Sequence, residues 1–177
     1  MPTFYFPPAL IKEPALQTAP FNGPGAPPAF DAWFVHPAQI RQNSVWLFVH
    51  GQTFYSFILK NAAGEGPREV LGRFREELGR TLFDQEFSPD EISRALQSLE
   101  GEFVLEGKIG KGMKRSLEVL AEHYRWFSEA EGFQAGDIQT VSLLVNETPL
   151  EMIGHELPCD ELRRLLVNFP QERGKAA

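Results

Sequence analysis

Apolar residues fall into two regimes along this chain. Between residues 31 and 59 they come in short dense runs, the pattern of strands; from residue 67 onward they recur mostly at steps of three and four, the pattern of helices. In the first regime "DAWFV" (31–35), "SVWLFVH" (44–50) and "TFYSFIL" (53–59) each have strand length. The middle run is almost continuously apolar, as a strand buried on both faces requires. Gly51-Gln52 separates the second run from the third, and a glycine in first place predicts a two-residue type II′ hairpin there. "TFYF" near the start predicts a further short strand, and "EFVLEG" (102–107) alternates like another.

In the second regime Val70, Leu71, Phe74, Leu78 and Leu82 mark one face of a helix that opens at Pro67. "SPDE" (88–91) predicts a second helix start, with Ser88 as cap, Pro89 in the first helical position and Glu91 closing a capping box. Ile92, Leu96 and Leu99 form its apolar side. Met113, Leu117, Leu120, Tyr124 and Phe127 define a long third helix, with Arg115, Glu118, Glu122 and Arg125 largely off the stripe. Residues 137–146 predict a fourth helix, "PLEMIGHELP" an extended piece, and Pro158 the start of a fifth helix carrying Leu162, Leu165 and Leu166. The expected fold is α+β, a small antiparallel sheet of N-terminal hairpin strands packed against about five helices.

Composition changes this picture at the ends. The first thirty residues hold eight prolines and only two charged residues, Lys12 and Glu13, so 1–30 is read as a proline-rich segment docked on the body. Residues 31–169 form the single domain, and 170–177 a flexible tail. With 177 residues and 42% hydrophobic content, one core is expected. Fifteen phenylalanines and three tryptophans predict that it is aromatic. A single cysteine, Cys159, excludes an internal disulfide. The opening residues lack a signal-peptide pattern and no apolar run approaches membrane-span length, so a cytoplasmic protein without a membrane partner is expected.

The net charge of −7 argues against bulk attraction to nucleic acid. Against that background "GKIGKGMKRS" (107–116) holds Lys108, Lys111, Lys114, Arg115 and no acid. A phosphate-binding loop needs lysine and a hydroxyl residue directly after its last glycine; here Met113 and Lys114 follow Gly112, so that motif fails. A dinucleotide fingerprint fails on the order of Gly107, Gly110 and Gly112. What remains is a helix start, whose free N–H groups and dipole favour an anion, carrying cations instead of the acids it prefers. Lys111, Lys114, Arg115 and Ser116 are therefore the candidate anion-binding residues. Pairing with the chain's own carboxylates is the competing explanation.

The four histidines, His36, His50, His123 and His155, form no close metal-binding pair. No metal and no cofactor is expected. No serine sits in a nucleophile elbow, and Cys159 has no assigned histidine partner. Glu118 and Glu122, one turn apart, are an ordinary exposed pair.

Several motifs together resemble an uncharacterised bacterial family, a domain of unknown function. Trp33, Ile40, Arg41, Phe48, Thr53 and Phe57 fall on its opening W-x-x-N, apolar-strand-N and T pattern. Arg115 and Ser116 match its R-S, which leads into M-N-D. Asn146, Pro149, Ile153 and Pro158 match its N-x-x-P, strand and proline-led helix. The likeness spans about residues 31–168. His36 and His50 stand where the family has asparagine, and "AEH" (121–123) replaces M-N-D. The resemblance implies a fold and no assigned activity. It also suggests a shared polar pocket of Trp33, His36, His50, Thr53 and His123 near the helix start.

Three functional classes follow. The leading one is a non-enzymatic binding or regulatory protein, antitoxin- or inhibitor-like, that takes a protein partner or an anionic small molecule near Lys111–Ser116. The second is a hydrolase of phosphate esters or nucleotides, in which Arg115 steadies charge and His36, His50 or His123 acts as base or metal ligand. The third is a nucleic-acid binder using the basic loop with exposed Trp33 or Trp126. Whether the protein is an enzyme stays open at this level.

Overall fold

A computed structural model describes residues 2–7, 32–60, 67–99, 104–106, 109–130 and 138–168. The predicted docking of the proline-rich segment beyond residue 7 and the predicted tail both lie outside the described residues. Five strands form one sheet: β1 (Thr3–Tyr5), β2 (Ala32–Ile40), β3 (Asn43–His50), β4 (Ser56–Lys60) and β5 (Val104–Glu106), in the spatial order β4-β3-β2-β1-β5. Among the described residues five helices accompany them: α1 (Pro67–Asp84), α2 (Pro89–Gln97), α3 (Lys111–Glu129), α4 (Ile138–Asn146) and α5 (Pro158–Asn168). The fold is α+β. The hairpin strands β2, β3 and β4 pair antiparallel, as expected, and β1 adds parallel pairings to β2 and to β5 that make the sheet mixed.

Strand alternation sorts the core into two layers. On one face Trp33, Val35, Trp46, Phe48 and Phe57 meet Val70, Phe74, Leu78 and Leu82 of α1, Ala95 of α2, and Cys159, Leu162 and Leu166 of α5. On the other, Phe34, Ile40, Val45, Leu47, Val49 and Ile58 meet Leu117, Leu120, Ala121 and Tyr124 of α3 and Val141 and Val145 of α4. The sheet is thus covered by helices on both sides, which is why β3 reads as continuously apolar. The first layer is the aromatic one. Phe74 sits at its centre, within 4.9 to 5.3 Å of the rings of Phe4, Trp33, Phe48 and Phe57.

The turns differ from expectation. The two-residue hairpin joins β2 to β3 through Arg41-Gln42, with Arg41 at φ 53°. The β3–β4 connection, expected as a Gly51-Gln52 turn, is a longer loop of Gly51 to Tyr55 in which Phe54 takes the positive φ of 55°. Gly51 serves a different end. Its N–H donates to the Ala32 carbonyl at 2.8 Å, and a Cβ on it would stand 3.2 Å from that oxygen and 3.1 Å from the Phe34 ring. "PLEMIGHELP" is not extended throughout. Glu151–Ile153 form a single 3-10 turn, Gly154 and His155 adopt positive φ, and Leu150 bridges to Glu156.

The helix ends follow local chemistry. Ser88 and Glu91 make the capping box, with the Ser88 N–H donating to Glu91 Oε2 at 2.7 Å and the Glu91 N–H to Ser88 Oγ at 3.3 Å. α1 ends in a Schellman motif: the Phe87 N–H donates to the Leu82 carbonyl and the Glu86 N–H to the Phe83 carbonyl, both at 3.0 Å. Glu86 holds the left-handed position at φ 59°, where a Cβ is unfavourable. Glu86 is exposed, so Glu86→Gly is expected to stabilise the protein by about 0.5–1 kcal/mol. Thermal unfolding checks it, and an unchanged or lower melting temperature counts against that reading.

Candidate functional site

Four residues separate β5 from α3. Its N-cap is Gly110, extended at φ −61° and ψ 150°, and no side chain caps the helix. The first intrahelical bond to the cap is that of the Lys114 N–H to the Gly110 carbonyl at 3.0 Å. The N–H groups of Lys111, Gly112 and Met113 thus keep the donor capacity usual to a helix start. The first turn contains no acid. Lys111, Lys114 and Arg115 are all exposed, Ser116 is half-buried, and the three cations have no hydrogen bond or ion pair among the described residues. A Cβ on Gly110 or Gly112 would meet nothing within 4 Å. Neither glycine is demanded by the protein's own packing there, and both leave the helix start open to approach.

Over the first three turns the stripe Met113, Leu117, Leu120 packs on the sheet, which fixes where the cations stand. Lys114 lies on the side of α3 that meets β2, near His36. The His36 imidazole is held below its ordinary pKa, chiefly by burial; Glu118 acts the other way, and the charges of Arg125 and Lys114 add to the lowering. Arg125 is fixed there by donating from Nε to the Gln39 carbonyl at 3.2 Å. The charges of Lys114, Glu118 and Arg125 of α3 are therefore felt by His36 of β2. Sequence reading placed Glu118 and Arg125 on the exposed face of the helix and missed their shared neighbour.

The remaining pocket candidates lie elsewhere. His36 and Trp33 are three positions apart on one strand, so they point to opposite faces of the sheet. Trp33 is buried at 3% exposure, so it offers no exposed aromatic platform; Trp126, at 66%, does. Trp33 packs edge-on against His50, its register partner, at 5.2 Å. His50 and Thr53 are also buried. The Thr53 N–H donates to His50 Nδ1 at 3.3 Å. Thr53 Oγ1 lies 2.9 Å from the same nitrogen and accepts from the Tyr55 N–H at 3.2 Å. These three residues lock the β3–β4 loop. His123 is half-buried on α3, with Nδ1 buried and without a hydrogen-bond partner among the described residues. His155 is exposed on its turn. Among the described residues no three His, Cys, Asp or Glu side chains gather as a metal site. Burial pushes the Cys159 thiol pKa up, with Asp160 adding to it, which opposes thiolate chemistry.

A polar cluster that the sequence did not announce lies at the β4 edge. The Asn146 amide accepts from the Ser56 N–H at 2.9 Å and donates to the Ser56 carbonyl at 2.8 Å and to Gln85 Oε1 at 3.1 Å. Ser56 Oγ lies 3.0 Å from the Tyr124 hydroxyl. All four side chains are buried, and the cluster ties α4, β4, the turn after α1 and α3 together.

The chain matches the model of a known family. The model of a domain of unknown function, DUF6933, covers residues 10–161. The chain belongs to this family. No curated protein and no solved structure shows significant similarity to it. The match takes in β2 through the start of α5, including Asn146 and the α3 helix start. Among the described residues no helix is long and apolar enough to cross a membrane.

Proposed function

We propose that this DUF6933 protein is a binding protein that holds an anionic group at the start of α3. One observation carries the reading: three exposed cations, without partners among the described residues, share an uncapped helix start with no acid in its first turn. Each such cation is unfavourable beside the positive end of the dipole by about 0.3–1 kcal/mol, and a bound anion reverses the sign. Lys111, Lys114 and Arg115 supply charge, the N–H groups of Lys111, Gly112 and Met113 supply direction, and Ser116 borders the site. A phosphate or carboxylate group suits such donors. The hydrolase reading needs several histidines beside Arg115 in one cleft. His36 and His50, on opposite faces of the sheet, offer no such group, so simple binding is favoured.

Phosphate titration followed by amide NMR tests the proposal. The Lys111, Gly112 and Met113 resonances are expected to shift and saturate. Lys111→Ala with Lys114→Ala should weaken that binding by about threefold to thirtyfold, the worth of two cations at a helix start. Resonances that stay in place as phosphate is added refute the site.

A further inference from the structure

The outer face of α3 points to a second copy of the chain. Opposite the buried stripe, Arg115, Val119, Glu122, Trp126 and Glu129 follow one another at steps of four, three, four and three, flanked by Glu118 and Arg125. Trp126 is 66% exposed and Val119 37%, and the five charged residues are exposed too. The charges run against the helix dipole at both ends, with no acid in the first turn and no base in the last.

Three complementary pairs on this face share one midpoint. Arg115 and Glu129 centre on residue 122, Glu118 and Arg125 between 121 and 122, and Val119 and Trp126 between 122 and 123. A two-fold axis passing beside Glu122 therefore sets two α3 helices antiparallel and forms all three pairs at once, each twice. The helical wheel agrees. At 100° per residue Val119 and Trp126 lie on one flank of Glu122, Glu118 and Arg125 on the other, and Arg115 and Glu129 near the centre line. A two-fold of this kind matches each flank with itself, so apolar meets apolar and acid meets base. Each Arg115 then lies opposite Glu129 at the end of the neighbour's helix. We infer that the protein self-associates through α3 as an antiparallel, isologous dimer. One helical stripe is a small interface, so the dimer is a weak one, of micromolar or higher Kd. The inference and the anion reading share Arg115, but the state of association and the phosphate shifts of Lys111, Gly112 and Met113 are separate measurements, so either can fail alone.

Sedimentation equilibrium of the full chain from about 1 μM to 1 mM tests it. A monomer–dimer equilibrium is expected. Trp126→Ser and, separately, Arg115→Glu should each raise Kd by about tenfold or more. Arg115→Glu combined with Glu129→Arg should restore the affinity, which a merely structural role would not do. Glu122→Gln should tighten the dimer, since two like charges meet on the axis. All these positions are exposed, so the variants retain the fold, and circular dichroism checks that. A monomer at every concentration, or an Arg115→Glu variant that associates like the parent, overturns the inference.

Discussion

Replacing Phe74 with alanine is expected to destabilise the protein by about 3–5 kcal/mol, the range for truncating a buried aromatic ring in a packed core. The size follows from position. Phe74 is 2% exposed and touches four other rings, from β1, β2, β3 and β4, so it is where α1 grips almost the whole sheet. Edge-to-face pairs with Phe4 and Trp33 add about 0.5–1.5 kcal/mol each beyond area burial. The surrounding rings are stiff and belong to hydrogen-bonded strands, so they cannot collapse into the space. Phe74→Leu keeps most of the volume and should cost much less. Urea denaturation at constant m-value measures both. Against a typical total of about 5–15 kcal/mol, the alanine variant approaches the limit of folding. A loss below about 1 kcal/mol would mean that the aromatic layer is not packed as described.

The elements were legible because their signals are local. The capping box at Ser88 and Glu91, the α3 stripe and the doubly buried β3 all depend on residues a few positions apart. The turns were not, because glycine has more than one use. Gly51 looked like a turn residue for its backbone freedom, but its place is set by the approach of Ala32 and Phe34. The tight turn fell to Arg41, whose sequence gives no sign of a positive φ. The parallel strand β1 was visible as a strand, but nothing within three residues states which neighbours it will take. Part of the site is readable in the sequence. Trp33 and His36, an odd number of positions apart on one strand, cannot line the same pocket, and that parity was in the sequence all along. The approach of Glu118 and Arg125 to His36 was not readable, since it depends on how α3 crosses β2.

Asn146 is the clearest case of chemistry hidden by sequence distance. It lies 90 residues from Ser56, yet its amide binds the N–H and carbonyl of that residue on the sheet's outer edge. An edge strand left open is a template for unwanted pairing, and here one amide takes the place of the next strand. Asparagine is suited to it because it alone offers an acceptor and two donors at this length; the second donor serves Gln85. Asn146 is 0% exposed, so the loss of the amide strands the Ser56 groups away from water. Asn146→Ala is expected to cost about 3–5 kcal/mol, the sum of three lost bonds and the orphaned polar groups. Asn146→Asp keeps the shape but should do no better at neutral pH. Its oxygens would face the Ser56 carbonyl and Gln85 Oε1 without a proton between them, and a buried carboxylate is costly in itself. Its acid form has one donor, so the penalty should shrink as the pH falls below the raised pKa of that carboxyl. Chemical denaturation of both variants at neutral and mildly acidic pH measures this. An alanine variant within about 1 kcal/mol of the parent would show that solvent replaces the amide and that the β4 edge is not sealed by it.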